Sequence, residues 1–107
     1  MSSPPLVGFL DEVKLNRTHL SKQSLRTDLG DLDELMLSID KVGLLQPIVI
    51  RPIADKYEVV AGNRRFEACR RLRWIKIPCH IVELDDKEAF EISLVENVQR
   101  NMLNTIE

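Results

Sequence analysis

Apolar residues recur along the chain with two different periods, and their alternation predicts the order of helices and strands. The first helical stripe consists of Leu32, Leu35, Met36 and Ile39. Its spacing of three and four residues is that of one face of a helix. Asp31 precedes the stripe as a cap and Gly43 follows it as a C-terminal glycine, so we predict a helix over residues 31–42.

Short runs rich in apolar residues flank this helix and predict strands. They cover residues 9–15, 47–51, 57–61 and 77–83. Pro52 and the turn at residues 55–56 end the second run and favour a hairpin with the third. Residues 16–27 are polar and irregular, which indicates a long loop, and loops of that length in compact domains are often functional.

Two more helices are predicted, over residues 64–73 and from Asp85 onward, where Glu88 stands in the capping-box position. The residues expected to face the core are Ala68, Cys69 and Leu72 in the former, and Ala89, Ile92 and Val95 in the latter. Helices and strands that alternate in this way predict an α/β (α+β) fold, a small mixed sheet with helices packed on it.

Length and charge bound the class of protein. A chain of 107 residues is the size of one domain, and its formal net charge of -2 argues against a uniformly basic nucleic-acid binder. Residues 46–80 nevertheless carry eight Lys and Arg against three Asp and Glu, an excess of five positive charges. This basic middle predicts a local site for nucleotide phosphates or DNA, and the alternative is a helix with one solvated basic face.

Cysteine usage and hydropathy favour the cell interior. Cys69 and Cys79 are too few for a disulfide framework, and their spacing fits no zinc pattern, so we interpret both as core residues. No apolar run approaches membrane length, and no signal peptide is visible. These features predict a cytoplasmic protein.

The turn between the strand 57–61 and the following helix carries the strongest chemical signal. Gly62 permits a positive φ or a close approach to a ligand, and Asn63 is expected to be the N-cap. The free N–H groups and the helix dipole then form an anion site, to which Arg64 and Arg65 add charge. Cations are disfavoured at this end of a helix, so a bound phosphate would explain them. The alternative is two solvated arginines on a surface helix.

Three segments in order resemble one family. Residues 60–68, Val-Ala-Gly-Asn-Arg-Arg-Phe-Glu-Ala, resemble the Gly-x-Arg-Arg box of the ParB/sulfiredoxin superfamily, and specifically of ParB-type partition proteins. Residues 43–51, Gly-Leu-Leu-Gln-Pro-Ile-Val-Ile-Arg, resemble its Gln-Pro strand entry. Residues 96–103, Glu-Asn-Val-Gln-Arg-Asn-Met-Leu, resemble its Glu-Asn-x-Gln-Arg box. The resemblance covers roughly residues 9–107.

The resemblance implies a site for CTP with Mg²⁺, in which the protein alone holds no metal. The phosphate-binding residues would be Gly62, Asn63, Arg64 and Arg65, with Glu96, Asn97 and Arg100 across the pocket, Gln46 and Pro47 in its wall, and Arg26 lining it. Glu96 would be the catalytic residue if the domain hydrolyses CTP slowly. On the residues alone, Glu96 and Arg100 also suit an ordinary surface ion pair four positions apart.

Two departures from the family pattern bear on chemistry. Asn63 stands where the ParB box usually has Glu. The loss of this carboxylate would alter metal coordination or the choice of nucleotide base. Sulfiredoxins carry their nucleophilic Cys at this position and need its thiolate, so we reject sulfiredoxin activity. Ser24 and Leu25 replace the Gln-Pro that precedes the pocket arginine in the family.

The resemblance implies the N-terminal domain of a ParB-type DNA partition protein, for plasmid or chromosome segregation, acting as a CTP-responsive protein-interaction module. One alternative is a nucleotide-independent adaptor that links a DNA-bound partition factor to a ParA-type ATPase, and another is a nucleotide-using enzyme. Expected partners are a ParA-type ATPase or other partition protein, further copies of the chain, and DNA mainly through regions absent here, with no membrane. The expected location is cytoplasmic, on the nucleoid or a plasmid.

We expect three segments along the chain. Residues 1–8 form a flexible N-terminus, and residues 9–103 form the ParB/sulfiredoxin-like domain. Residues 104–107 begin a helix that leads to a missing C-terminal region, because Asn104 and Thr105 look like a helix cap.

Overall fold

In the computed structural model, the described residues are 8–21 and 29–95. They form strands β1 (Gly8–Lys14), β2 (Thr18–Leu20), β3 (Ile48–Ile53), β4 (Lys56–Ala61) and β5 (Lys76–Val82), with helices α1 (Asp33–Val42) and α2 (Asn63–Arg71). A 3-10 helix, Leu15–Arg17, joins β1 to β2, and residues 86–95 are the described part of a third helix, α3. The predicted α/β (α+β) class is confirmed.

The strands form one mixed sheet in the order β1-β5-β3-β4-β2. β1 pairs antiparallel with β5, and β3 pairs antiparallel with β4, which confirms the predicted hairpin. β5 pairs parallel with β3, and β2 pairs parallel with β4. The antiparallel pairing of β3 with β4 places Ala61, the end of β4, opposite Val49 near the start of β3, next to the turn singled out from the sequence.

α1 and α2 cover one face of the sheet. Ile50 lies opposite both Val59 and Ile81, so these three share a face, and they are buried in one cluster with Ile39 of α1 and Phe66 of α2. Residues at alternate positions point to the other face. There α3 lies against β3 and β4. The sheet is therefore a layer between α1 and α2 on one side and α3 on the other.

Both cysteines lie in the core, as predicted. Cys69 of α2 and Cys79 of β5 are fully buried. Burial raises the pKa of the Cys69 thiol to about 11 and that of the Cys79 thiol to about 12. A thiol that stays protonated at neutral pH is a poor nucleophile, so both residues act as apolar packing groups.

Three predicted element boundaries are wrong. Pro52 does not end a strand but lies inside β3, opposite Tyr57. β3 pairs with β5 only over residues 48–50, so beyond Ile50 one edge of β3 is not hydrogen-bonded to β5 and tolerates a residue without an N–H. Residues 16–20, predicted as part of a loop, belong to the 3-10 helix and β2, while residues 22–28 lie outside the described ranges. Gly8, predicted to belong to the flexible N-terminus, is the first residue of β1.

The caps are partly as predicted. The box at α3 is confirmed: Glu88 N–H donates to Asp85 Oδ1 at 2.8 Å, and Asp85 N–H donates to Glu88 Oε1 at 3.0 Å. At α1 the N-cap position is Leu32, although the Asp31 carboxylate still accepts from Asp33 N–H at 2.9 Å. Val95, a predicted inner residue of α3, faces outward and is 56% exposed, and Phe9 of β1 is 60% exposed. Phe9 is on an edge strand, and the inner side of α3 is taken by Ala89, Ile92 and Ser93.

Candidate functional site

The candidate site is built on the backbone of Gly62, between β4 and α2. Gly62 is buried and adopts φ 99° and ψ 33°, a left-handed conformation. A Cβ added there would lie 2.7 Å from Cγ2 and 3.0 Å from Cβ of Ile48, the first residue of β3. Only glycine satisfies both the conformation and the contact. The sequence signal at this position therefore has a direct steric cause.

Gly62 is also the N-cap of α2, which corrects the prediction that Asn63 would be. The first bond of the helix runs from Phe66 N–H to the Gly62 carbonyl at 2.8 Å. The N–H groups of residues 63–65 consequently have no acceptor within the helix. Asn63 is the first helical residue, and its Oδ1 is buried without a hydrogen-bond partner among the described residues. A buried acceptor without a partner costs about 1–3 kcal/mol.

Arg65 extends from the first turn of α2 toward the entry of β3. Its Nη1 lies 3.2 Å from the carbonyl oxygen and 3.3 Å from Oε1 of Gln46, and 3.5 Å from the carbonyl oxygen of Pro47. The predicted phosphate-binding arginine and the two predicted wall residues are thus brought together. They line one side of an open cleft of about 660 Å³, whose other walls include Phe9, Leu10, Val49 and His80.

Arg64 takes a different direction from its neighbour. Its Nε donates to the Leu29 carbonyl at 3.0 Å, and its Nη2 donates to the Asp31 carbonyl at 2.9 Å. These bonds attach the segment before α1 to the first turn of α2. The two arginines therefore have no common partner, and Arg64 acts as a tether for the chain that follows residue 28.

α3 passes close to the turn on the other face of the sheet. Ser93 Oγ donates to the carbonyl of Val60 at 2.8 Å, two residues before Gly62. Sequence reasoning missed Ser93, because a lone serine within a helical stripe carries no distinctive pattern. The predicted site residues Arg26, Glu96, Asn97 and Arg100 lie outside the described residues, so their positions relative to Gly62 stay predictions.

Several cations of the basic middle are engaged inside the domain. Arg70 and Arg71 both bind the buried carboxylate of Glu67, with Arg70 Nε at 2.8 Å from Oε1 and Arg71 Nε at 3.0 Å from Oε2. The hydrogen bonds from Arg70 and then Arg71 outweigh burial and lower the pKa of Glu67 below its ordinary value. Both arginine side chains stay partly in solvent, with Arg70 60% and Arg71 48% exposed, while they bind Glu67.

Arg51 is a second internal cation. Burial opposes its charge, but hydrogen bonds to Asp86 and Glu58 outweigh this and raise the pKa of Arg51 above its ordinary value. Its side chain is only 9% exposed. The sequence gives Arg51 no special signal, since its partners lie 7 and 35 positions away along the chain.

Metal ligation and membrane insertion can be judged over the described ranges. Within residues 8–21 and 29–95, no three His, Cys, Asp or Glu side chains gather as metal ligands. No helix in the same part of the chain is long and apolar enough to cross a membrane. The turn groups the N–H groups of residues 63–65 that lack helical acceptors, the Asn63 side chain and the Arg65 guanidinium at the start of α2.

The family profile described as ParB N-terminal domain matches residues 9–98. A nucleoid occlusion protein of Bacillus cereus (strain B4264) is 49% identical over 101 residues, which cover 92% of this chain and 35% of that protein. A probable plasmid-partitioning protein ParB of Deinococcus radiodurans is 36% identical over 109 residues, covering 100% of this chain and 38% of that protein. The chain thus spans little more than a third of the length of these curated relatives.

A solved structure shares the fold. The C-terminally truncated chromosome-partitioning protein ParB from Caulobacter crescentus, complexed with CTP-gamma-S, matches with a TM-score of 0.77 and 35% sequence identity. The match covers 86% of this chain and 54% of that chain. The profile, the relatives and the fold agree over most of the sequence. The chain belongs to the ParB N-terminal domain family.

Proposed function

We propose that this chain is the N-terminal domain of a ParB-type DNA partition protein and acts as a CTP-responsive protein-interaction module. The observation that carries the proposal is the turn at Gly62, where a buried left-handed glycine starts a helix whose first N–H groups lack helical acceptors. A nucleotide phosphate would accept from those groups at the positive end of the helix dipole. The Caulobacter relative is complexed with CTP-gamma-S, which supports CTP as the nucleotide.

Arg65 is the side chain that we assign to the phosphate. Its contacts with Gln46 and Pro47 measure 3.2–3.5 Å, longer than the roughly 2.9 Å typical of N–H···O bonds. A phosphate oxygen would accept a shorter, charge-assisted bond, so the guanidinium would exchange these acceptors for the ligand. Arg64 holds well-formed bonds of 2.9 and 3.0 Å and would keep the segment before α1 beside the ligand.

The resemblance supplies the remaining proposed roles. Arg26 would line the pocket, and Glu96, Asn97 and Arg100 would close it from the side of α3. The contact between Ser93 and Val60 supports this, because it brings the last described turns of α3 beside the strand that leads to Gly62. Slow hydrolysis of CTP would depend on Glu96.

Magnesium would enter with the nucleotide. Mg²⁺ keeps several waters and binds through substrate phosphates with few protein oxygens, which suits a site without a carboxylate cluster among the described residues. The Asn63 Oδ1 is a buried acceptor without a described partner, and a water held by the ion would satisfy it. When bound, the ion would neutralise phosphate charge.

A nucleotide-independent adaptor is the second candidate. It is favoured by the bonds that Arg64 and Arg65 make to backbone carbonyls, because each guanidinium group already has protein acceptors without a ligand. Under either candidate, we propose a ParA-type ATPase and further copies of the chain as partners, with a nucleoid- or plasmid-associated location. We also propose that the chain lacks sulfiredoxin chemistry, since the resemblance puts Asn63 at the nucleophile position and both thiols are buried.

The test is a titration of the 107-residue chain with CTP, ATP, GTP and UTP, followed by thermal shift and calorimetry. We expect a response to CTP and not to the others. Arg65→Ala should weaken CTP binding by about ten- to hundredfold, because one charge-assisted contact contributes about 1.5–3 kcal/mol.

Arg71→Ala is the matched control, since it removes the same charge from the same helix about two turns farther on. Arg70 still binds Glu67 in that variant, so the fold should persist and CTP affinity should stay nearly unchanged. If the wild-type chain binds no nucleotide at millimolar concentration, or both variants have the same CTP affinity, the nucleotide-independent adaptor becomes the preferred function.

A further inference from the structure

β4 contains a bulge just before the chain turns into α2. In the antiparallel pairing with β3, the consecutive residues Val49 and Ile50 lie opposite Ala61 and Val59, so Val60 is an extra residue with no counterpart on β3. A bulge bends its strand, increases the local twist and re-aims the residues that follow it. Here the residues that follow lead directly into the turn. The bulge therefore helps to set the direction in which the chain enters α2.

The carbonyl of the extra residue is held by α3. Ser93 Oγ donates to the Val60 carbonyl at 2.8 Å, across 33 positions of sequence. Val60 is 2% exposed and Ser93 is half-buried, so little water reaches this contact. In the described part of the chain, the pairing of β2 with β4 ends at Val59, so Val60 has no counterpart on that strand either. A buried carbonyl outside the strand register needs a donor from elsewhere, and the serine hydroxyl supplies it.

We propose that Ser93 is a positioning residue for phosphate binding at the Gly62 turn, acting through the Val60 carbonyl. The inference rests on the proposed function. Only two residues separate the held carbonyl from Asn63, where the N–H groups without helical acceptors begin. Gly62 packs with no space for a Cβ, so the short segment between the bulge and α2 has little freedom to absorb a shift. Movement of the Val60 carbonyl would therefore displace the groups that bind the phosphate.

A role confined to attaching α3 makes a different prediction. Ala89 is buried, and the Asp86 carboxylate forms an ion pair with β3 at 2.9 Å, so α3 keeps other contacts when the hydroxyl is removed. If Ser93 only attaches the helix, Ser93→Ala should shift the amide NMR signals of residues 86–95 alone. If Ser93 positions the turn, the variant should also shift the amide signals of residues 63–65 in the ligand-free chain. It should then weaken CTP binding by about three- to tenfold.

Three further variants separate the hydrogen bond from packing. Ser93→Thr keeps the hydroxyl, and its added methyl group has room in the open cleft of about 610 Å³ that Ser93 lines. It should restore the wild-type amide signals and CTP affinity. Ser93→Cys replaces the hydroxyl with a weaker donor, so its CTP affinity should lie between those of Ser93→Ala and the wild type. Ile92→Val removes one methyl group from the neighbouring half-buried residue and leaves the bond to Val60 intact, so it should bind CTP as the wild type does.

The melting temperature of each variant is measured first, and CTP titrations are run well below the lowest one, so that unfolding does not enter the affinities. Weaker binding in Ser93→Ala with recovery in Ser93→Thr supports the proposal. Unchanged amide signals of residues 63–65 and unchanged CTP affinity in a folded Ser93→Ala overturn it while wild-type binding stands, as does an equal loss in Ile92→Val. If Ser93→Ala fails to fold, wild-type affinity in Ser93→Cys overturns it. A wild-type chain without a CTP response overturns the proposed function, and the role of Ser93 in phosphate binding with it.

Discussion

At the scale of single residues, Gly62 is under two independent constraints. Its φ of 99° is disfavoured for any residue with a Cβ, and the space that a Cβ would occupy is taken by Ile48. Ile48 is fully buried at the start of β3 and cannot move without disturbing the core. The conformation that directs the first N–H groups of α2 out of the turn is therefore fixed by the packing beneath it.

We predict that Gly62→Ala destabilises the domain by about 2–4 kcal/mol, the sum of backbone strain and overpacking. Urea unfolding measures this directly. Gly30→Ala is the control, because Gly30 also has a positive φ, of 74°, but no atom lies within 4 Å of the added Cβ. Equal losses in the two variants would mean that Ile48 imposes no constraint on the turn.

The strand–glycine–helix turn was predictable from residue types, but the directions of its side chains were not. Gly62 and the arginines are recognisable because glycine, dipole and charge act locally. Arg64 donates to the Leu29 carbonyl and Arg65 to the Gln46 carbonyl because the fold brings these acceptors near. They lie 35 and 19 positions away in sequence. The choice of Gly62 over Asn63 as the cap follows from a one-residue shift in the helix start, and such shifts are hard to read from sequence.

At the scale of elements, the long, strongly periodic segments α1, α2 and β5 were predictable, and short or long-range features were not. β2 has three residues and no period to detect, and it forms because β4 offers an edge for parallel pairing. The inner side of α3 includes Ser93, which a hydrophobic stripe does not indicate. Local signals thus gave the elements, while the sheet order and the polar attachments of α3 came from tertiary contacts.

The end of α2 carries a pH-dependent contribution to stability. Because the hydrogen bonds from Arg70 lower the pKa of Glu67, the folded state binds protons less readily than the unfolded chain, whose Glu pKa is about 4.3. The stabilisation is present above that value and is lost as pH falls through the lower, folded pKa. We predict that Glu67→Gln costs about 1–2 kcal/mol at neutral pH.

Urea unfolding at pH about 7 and about 3 tests this, because the cost of Glu67→Gln should shrink in acid as the wild-type carboxylate takes up a proton. Ile77→Val, a core change that removes no ionisable group, should cost about 0.5–1.5 kcal/mol at both pH values. A cost for Glu67→Gln that is the same in acid as at neutral pH would contradict the assigned role of the Arg70 pair.

At the scale of the whole molecule, the cations of residues 46–80 are much less available to contact DNA phosphates than the composition indicates. Arg51 is paired with Glu58 and Asp86, and Arg70 and Arg71 share Glu67. Among the described residues, the cations of the middle whose side chains make neither an ion pair nor a hydrogen bond are Lys56, Arg73 and Lys76. The described helices are also separated from one another by strands, so they form no helix-turn-helix.

We therefore predict that the 107-residue chain binds duplex DNA weakly and without sequence preference. With about two or three phosphate contacts, the affinity should fall by roughly one to two orders of magnitude between about 50 and 200 mM salt. Fluorescence anisotropy with two unrelated duplexes of equal length measures both the slope and the preference. Arg73→Ala should weaken binding to both duplexes equally and make the salt slope shallower by about one. Tight binding to one duplex that persists at about 200 mM salt would instead require a base-reading surface in this domain.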